Sequence, residues 1–208
     1  MESALRINPE PGLTLIETLG WDGQTLARLP AHLARMAGTA AGLGWGFDPS
    51  QAEAALRAVT PRTPARMRLA FDGQTFQATA APLPPARAEW RLTIAPQRLD
   101  PADPWLAHKT SHRALYDATR AALPDGVEEV VFLNTRGEVC EGTITNLFFD
   151  RGQGLCTPPL GCGLLPGILR AERIAGGCRE QVLRADDLPH VRLWVGNALR
   201  GLIPARLI

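Results

Sequence analysis

Alternating hydrophobic and polar positions predict two hairpins in the first part of the chain. Apolar residues recur at every second position over 67–71, an Asp-Gly pair follows, and the alternation resumes over 76–80. A similar arrangement spans 13–21 and 25–29 around another Asp-Gly pair. Asp-Gly tolerates the positive φ of tight turns. Each arrangement therefore predicts two antiparallel strands joined by a turn.

The first predicted strand carries Glu17 and Thr18 side by side. Neighbouring strand residues point to opposite faces of a sheet, so only one of the two can share a face with Ile16. The sequence leaves open which of them faces the core.

Helical spacing of apolar residues follows the first hairpin. A helix is predicted to open at Pro30, and His32 and Arg35 share one of its faces because they lie three positions apart. A second helix is predicted to start with Asp48 as its N-cap and Pro49 at its first position.

A proline-rich run, APLPPA over 81–86, separates the two parts of the chain. Consecutive prolines favour an extended spacer. We therefore expect a small N-terminal α+β domain over 1–81, a linker over 82–89, and a larger C-terminal domain over 90–208 that carries Lys109.

The C-terminal part mixes apolar strand-like runs with amphipathic helices, which predicts a mixed α/β (α+β) fold. Helices are expected over 111–123 and from Gly167. The predicted strands are 90–95, 129–133, 138–140, the run that opens at 141, 181–183 and 191–195, and the residues from 196 form a tail.

Composition favours a small-molecule partner. The 208 residues include 22 basic and 21 acidic side chains, so no strong net charge points to nucleic acid or an anionic membrane. The first twelve residues have neither a basic nor an apolar leader region, and the chain has no run of eighteen apolar residues. We therefore expect a cytoplasmic protein.

Other common chemistries find little support in the sequence. The four cysteines form no C-x-x-C pair, so we expect free thiols in or near the core, with no disulfide and no zinc. The chain has no G-x-S-x-G, no G-x-x-x-x-G-K-[ST] and no H-E-x-x-H motif. His108 and His112 could flank a metal on a helix, but no further ligand cluster accompanies them.

The stretch over 141–170 combines several features of a cofactor site. Glu141 opens a strand-like run around Asn146, and a proline-rich turn leads to Gly167 at the start of an amphipathic helix. A glycine at that position exposes the N–H groups of the helix terminus, which attract phosphate.

This stretch resembles the signature of the class IV, fold-type-IV pyridoxal-phosphate enzymes, a family that includes branched-chain and D-amino acid aminotransferases and aminodeoxychorismate lyase. The spacing agrees across two gaps as well as the residue types do. The resemblance implies a two-domain fold like that of D-amino acid aminotransferase, with the cofactor in the interdomain cleft. The matching positions are Glu141, Thr143, Asn146, Leu147, Phe148, Leu155, Thr157, Leu165, Gly167, Ile168 and Arg170.

The resemblance implies pyridoxal 5'-phosphate as the cofactor. Lys109 is the single lysine of the chain and lies some thirty residues before Glu141, as the lysine that forms the aldimine does in the family. Glu141 is expected to face the pyridine nitrogen and keep the ring protonated. The phosphate is expected to contact Arg35, the backbone N–H groups of Ile168 and Leu169, and Asn197.

The resemblance extends less clearly to the reaction. Thr18 matches a threonine that can pass a proton in aminodeoxychorismate lyases, and Arg113 also fits the lyase pattern. Arg68 matches an arginine that meets the substrate carboxylate in aminotransferases, and either reaction could use it. A tyrosine expected five residues after the lysine is replaced by Ala114, and the chain's one tyrosine, Tyr116, follows two residues later.

The resemblance at these residues therefore implies an enzyme that eliminates pyruvate from 4-amino-4-deoxychorismate and releases 4-aminobenzoate. A branched-chain or D-amino acid aminotransferase is the first alternative, and a catalytically degenerate binding protein on the same fold is the second. The resemblance also implies a homodimer.

Overall fold

A computed structural model describes residues 10–208 of the chain. Residues 1–9, which make up most of the segment used for the leader prediction, lie outside the described residues. The described chain divides into two compact units. Unit 1 contains the residues up to Pro85 together with His108–His112, and unit 2 contains Ala86–Ala107 and Arg113–Ile208.

Unit 1 packs two helices against a three-stranded antiparallel sheet with the order β1-β2-β3. The core combines one face of this sheet with the apolar faces of the helices, and it includes Leu19, Met36 and Met67. Burial of these side chains is the main stabilising contribution to the unit. The elements are β1 Leu15–Trp21, α1 Leu29–Gly42, α2 Pro49–Arg57, β2 Ala65–Phe71 and β3 Phe76–Pro82.

The prediction of a first hairpin over 13–29 is wrong in its second strand. Asp22 forms the expected turn, since its Oδ1 accepts hydrogen bonds from the N–H groups of Gln24 and Thr25. After a single bridge between Trp21 and Leu26, however, the chain enters α1, and β1 pairs with β2 along its whole length. Proline near the start of α1 favours the helix over a continued strand.

Two other predictions for the elements of unit 1 are confirmed. The second hairpin forms as β2 and β3. Asp48 caps α2, because its Oδ1 accepts a hydrogen bond from Ser50 N at 2.8 Å, and Pro49 is the first helical residue. This cap satisfies one of the N–H groups that a helix terminus otherwise leaves without a partner.

The segment that carries Lys109 pairs with the edge of β1. Ile16 N donates to Lys109 O at 2.8 Å, Ser111 N donates to Thr14 O at 2.8 Å, and Leu15 forms a bridge with Thr110. These bonds satisfy backbone groups that an edge strand would expose. They group Lys109 with unit 1, whereas the sequence assigned it to the C-terminal domain.

Unit 2 contains a mixed seven-stranded sheet with the order β5-β4-β10-β9-β6-β7-β8 among the described residues. Apolar side chains of the central strands form its largest core cluster, which includes Leu92, Val131 and Val195. The elements are β4 Trp90–Leu99, α3 Ala114–Ala121, β5 Glu129–Asn134, β6 Asn146–Asp150, β7 Leu155–Thr157, α4 Ile168–Ala175, β8 Arg179–Glu180, β9 Arg192–Asn197 and β10 Gly201–Leu207.

The structure corrects the sequence prediction at four places in unit 2, one of which is the run that opens at 141, because its strand, β6, begins only at Asn146. The predicted tail contains β10, which lies between β4 and β9 in the sheet. Its internal Pro204 is unusual for an inner strand and interrupts the sequence pattern that predicts a strand. Within the predicted strand 138–140, only Glu138 and Val139 form isolated bridges, and the strand predicted at 181–183 is replaced by the shorter β8.

The four cysteines are buried and free. Burial raises the pKa of Cys162 and of Cys178 to about 11. Between residues 10 and 208, every helix is too short or too polar to cross a membrane.

Candidate active site

The two faces of β1 separate the predicted site residues of unit 1. Leu15 and Leu19 belong to the core cluster, and Glu17 shares their face because strand residues alternate. Thr18 therefore shares the opposite face with Ile16. This answers the question that the sequence left open.

Glu17 binds two side chains of α1. Its Oε2 lies 2.6 Å from His32 Nδ1, and its two oxygens accept hydrogen bonds from Arg35 Nε at 2.8 Å and Nη2 at 2.7 Å. Burial opposes ionisation of Glu17, which is 1% exposed, but the hydrogen bonds from His32 and Arg35 outweigh burial and lower its pKa. Glu17 is thus an ionised, buried carboxylate.

Arg35 is held in a fixed orientation by this pairing. A guanidinium group carries five N–H donors in a planar fork, of which Glu17 accepts two. The side chain of Arg35 is 14% exposed, so its charge is only partly hydrated. An oriented, partly dehydrated guanidinium suits phosphate binding.

A second contact connects α1 with the segment that carries Lys109. Thr39 Oγ1 lies 3.1 Å from His108 Nδ1. Burial lowers the pKa of His108, which favours the neutral ring at pH 7. The contact fixes the residue next to Lys109 on the α1 side of β1.

On the other face of β1, Thr18 and Arg68 are direct cross-strand partners in the register with β2. Directly opposed residues share a face, with Cβ atoms about 4.5–5.5 Å apart. Lys109 neighbours Thr110 in the segment that pairs with β1, and Thr110 is the bridge partner of Leu15. Alternation therefore directs Lys109 to the face that carries Thr18 and Arg68.

In unit 2, Glu141 lies buried just before β6. Its Oε1 accepts a hydrogen bond from Tyr116 Oη at 2.9 Å. Its Oε2 accepts hydrogen bonds from Leu165 N at 3.1 Å and from Asn146 Nδ2 at 3.4 Å. All of these donors stabilise negative charge on the carboxylate. Sequence reasoning identified Tyr116 only by its shifted position and missed its contact with Glu141.

The N-terminus of α4 lies next to this carboxylate. Gly167 is its N-cap, and no side chain there bonds the first N–H groups, which belong to Ile168 and Leu169. A Cβ atom on Gly167 would collide with Oδ1 of Asn146, whose Nδ2 also donates to Leu165 O at 3.0 Å. The site therefore requires glycine here, and it joins a buried acid to an anion-binding helix terminus.

Glu129 organises the loop between Glu141 and β6, a role that sequence reasoning missed. It is fully buried, and it accepts hydrogen bonds from Thr143 N at 2.9 Å, Ile144 N at 3.1 Å and Thr145 Oγ1 at 3.1 Å. The available signal was a carboxylate at the start of the apolar run EVVFL. A buried carboxylate requires such donors.

Arg113 and Asn197 bind protein groups in the structure. Arg113 donates to Thr143 O at 3.0 Å and to Asp117 at 2.7 Å. Asn197 Nδ2 donates to Ile144 O at 3.1 Å, and its Oδ1 accepts hydrogen bonds from the N–H groups that begin the turn before β10. Both residues thus fix the backbone around the site, and their predicted contacts with substrate and phosphate stay predictions.

The residues present fit pyridoxal phosphate. Unit 2 by itself contains a buried carboxylate, Glu141, of the kind that a pyridinium nitrogen needs, beside helix-terminal N–H groups of the kind that bind phosphate. Unit 1 by itself contains the oriented guanidinium of Arg35, a group that also binds phosphate. Lys109 supplies the amine.

Comparison with known proteins agrees with this donor set. The sequence model of the family described as Amino-transferase class IV matches residues 14–208. A Mesorhizobium loti structure named "Putative amino-acid aminotransferase" is 45% identical, with a TM-score of 0.90, and the match covers 94% of this chain and 100% of that one.

Two further relatives are named for the lyase. A Schizosaccharomyces pombe protein named "Putative aminodeoxychorismate lyase" is 32% identical over 93% of this chain and 89% of its own length. A Legionella pneumophila structure named "Putative 4-amino-4-deoxychorismate lyase" is 22% identical with a TM-score of 0.78, over 93% of this chain and 82% of that one, and it supports the fold alone. The predicted fold-type-IV architecture is thereby confirmed. The chain belongs to the class IV aminotransferase family, and it is a pyridoxal-phosphate-dependent enzyme.

Proposed function

We propose that the enzyme eliminates pyruvate from 4-amino-4-deoxychorismate and releases 4-aminobenzoate. The observation that carries this proposal is the pairing of Thr18 with Arg68 across β1 and β2, on the face to which alternation directs Lys109. A hydroxyl that can pass a proton and a guanidinium that can bind a carboxylate are thus neighbours. The 32% identity to the Schizosaccharomyces pombe protein supports the same reading.

The elimination needs proton movement and charge stabilisation. Pyridoxal phosphate supplies the electron sink when it is bound. Lys109 Nζ holds the cofactor and moves the proton that the substrate loses, Thr18 Oγ1 passes a proton to the departing pyruvate, and Arg68 binds a substrate carboxylate.

The proposed role of the residues of unit 2 is to stabilise the charged groups of the cofactor. Glu141 would accept a hydrogen bond from the protonated pyridine nitrogen, and the hydrogen bonds that it accepts from Tyr116 and Leu165 favour its charged form. The N–H groups of Ile168 and Leu169 would bind the phosphate. Arg35, in unit 1, is likewise proposed as a phosphate ligand. The predicted cleft between two domains and the predicted homodimer stay predictions, and sedimentation of the purified protein tests the second.

An aminotransferase reaction is the second candidate. It is favoured by the 45% identity to the Mesorhizobium loti protein over nearly the whole of both chains. Lys109, Glu141 and Arg68 would keep their roles in that reaction, whereas the hydroxyl of Thr18 would be dispensable. Thr18 therefore separates the two candidates.

The test compares two incubations of the holoenzyme. One contains aminodeoxychorismate, and the other contains branched-chain or D-amino acids with 2-oxoglutarate. We expect pyruvate and 4-aminobenzoate from the first and no glutamate from the second. Glutamate without 4-aminobenzoate would contradict the lyase proposal and support the aminotransferase.

A pair of variants tests the role in proton transfer that is proposed for Thr18. Thr18→Val removes the hydroxyl with little change in shape and should slow pyruvate release by roughly 100-fold, within the usual range for a general acid or base. Thr79→Val is the matched control, because Thr79 is exposed and pairs with Arg68 from the β3 side. Equal losses in the two variants would show that the hydroxyl of Thr18 has no specific role.

A further inference from the structure

Tyr116 contacts Glu141 through a hydrogen bond between their side chains. Its phenol donates to Glu141 Oε1 at 2.9 Å, the shortest of the contacts that Glu141 makes with Tyr116, Leu165 and Asn146. The ring packs against Phe132, with centroids 5.0 Å apart, and the guanidinium of Arg113 lies 5.8 Å from the ring centroid. The phenol is therefore held in place by its surroundings.

The phenol of Tyr116 acts as a donor at every physiological pH. Burial and the neighbouring Glu141 carboxylate raise the pKa of Tyr116 well above its usual range. A phenol that stays neutral keeps its proton available to the carboxylate. The aromatic ring provides packing, whereas the hydroxyl provides this one hydrogen bond.

We propose that Tyr116 is a positioning residue that keeps Glu141 ionised, so that the proton between Glu141 and the cofactor stays on the ring nitrogen. The inference rests on the proposed role of Glu141 in holding that proton. Hydrogen bonds to a carboxylate favour its charged form, and their loss makes the carboxylate a stronger base. Without the phenol, the shared proton moves from the ring nitrogen toward the Glu141 oxygen.

The consequence is a change in electron withdrawal by the cofactor. A hydrogen bond to a charged group is strong enough to shift the balance between the two proton positions by roughly 10- to 100-fold. Tyr116 thus influences how strongly the pyridine ring of the cofactor withdraws electrons. It does so although it lies two positions beyond the place where the family resemblance predicts a tyrosine.

The experiment measures the position of the proton directly. Holoenzyme is reconstituted with pyridoxal phosphate labelled with ¹⁵N in the ring, and the ¹⁵N chemical shift is recorded at fixed pH without substrate. Tyr116→Phe keeps the ring and removes the hydroxyl. We expect its ¹⁵N signal to move toward the value of a neutral pyridine.

The single tyrosine of the chain permits a second, independent variant. Growth on 3,5-difluorotyrosine replaces Tyr116 alone and makes its phenol a stronger donor. We expect this protein to keep the wild-type ¹⁵N signal or move further toward the protonated ring, opposite to Tyr116→Phe. A role in packing alone would give the reverse order, because phenylalanine fits the space and fluorine adds bulk.

Two controls separate this inference from the proposed function. Thr119→Val removes a buried hydroxyl of the same helix, for which the structure records no hydrogen bond, and should leave the ¹⁵N signal unchanged. Glu141→Gln should move it strongly. An effect of Glu141→Gln with none of Tyr116→Phe would overturn the inference and leave the role of Glu141 intact. A signal unmoved by Glu141→Gln would overturn both.

Discussion

Both carboxylate oxygens of Glu17 accept a hydrogen bond from Arg35, one from Nε at 2.8 Å and one from Nη2 at 2.7 Å. Such bidentate pairs are stronger and more specific in direction than single contacts. Glu17 therefore determines the orientation of the Arg35 guanidinium. Of the two residues, only Arg35 was predicted from the sequence to contact the cofactor. The pair connects the stability of unit 1 with its proposed phosphate contact.

The first prediction concerns acid stability. Because its folded-state pKa is lowered from 4.5, Glu17 stabilises the fold above that pH, and this stabilisation is lost as the pH falls through the folded-state pKa. Removal of one member of a buried pair typically costs about 3–5 kcal/mol, so Glu17→Gln should lower the free energy of unfolding by about 3 kcal/mol at pH 7. Between pH 7 and pH 3, the free energy of unfolding measured by urea denaturation should fall less for Glu17→Gln than for the wild type.

Glu53→Gln is the matched control for that measurement. Glu53 pairs with Arg57 four residues later on α2, and both side chains are more than a third exposed. Exposed pairs of this kind contribute about 0.3–0.5 kcal/mol. Equal losses for the two variants would mean that the buried pair contributes no more than an exposed one.

Local signals in the sequence predict part of the fold and of the site. Asp48 and Pro49 define the start of α2 because capping depends on neighbouring residues alone. Glu141 and Gly167 are identified by the spacing of the family signature. The sequence does not predict β10, because Pro204 disfavours a strand locally. The strand forms because β10 pairs with its neighbours in the sheet.

Contacts between distant residues explain what the sequence does not predict. Tyr116 and Glu141 are 25 positions apart, and Glu129 binds a loop 14 to 16 positions later. Alternation limits Glu17 and Thr18 to opposite faces, but only the packing of α1 decides which of them turns inward. Tertiary structure thus supplies the residues that position the predicted ones.

The second prediction concerns Gly167. A Cβ atom there collides with Asn146 Oδ1, and Asn146 in turn donates to Glu141 and to Leu165 O. Gly167→Ala should displace Asn146 and weaken cofactor binding by at least roughly tenfold, the loss of about one hydrogen bond to a charged group. Titration of the apoenzyme with pyridoxal phosphate, followed by absorbance, gives the dissociation constant.

Gly161→Ala provides the comparison for Gly167→Ala. A Cβ atom on Gly161 meets nothing within 4 Å, so the added methyl group should leave cofactor affinity unchanged. If both variants bind the cofactor as tightly as the wild type does, the contact between Gly167 and Asn146 does not control the site.

The third prediction assigns the covalent attachment. Borohydride reduction of the holoenzyme should fix the cofactor to Lys109, the one lysine of the chain, and Lys109→Ala should abolish the adduct. Mass spectrometry of proteolytic peptides locates the added mass. Lys109→Arg keeps the positive charge and serves as the control for electrostatic effects. An adduct that persists in Lys109→Ala at any side chain would contradict the assignment.

The last prediction concerns recognition of the substrate carboxylate by Arg68. Arg68→Met keeps much of the side-chain length and removes the charge, so it should raise the KM of a carboxylate substrate by roughly 10- to 100-fold, the contribution of a charged hydrogen bond. An amine that lacks a carboxylate should react with the holoenzyme equally well in both proteins. Arg66→Met is the matched control, because Arg66 shares the exposed face of β2 but pairs with Gly20 and not with Thr18. Loss of reactivity toward the amine would show that Arg68 stabilises the fold and does not bind the substrate. An equal rise in KM for Arg66→Met would show that the positive charge of this face of β2 attracts the substrate without a specific contact from Arg68.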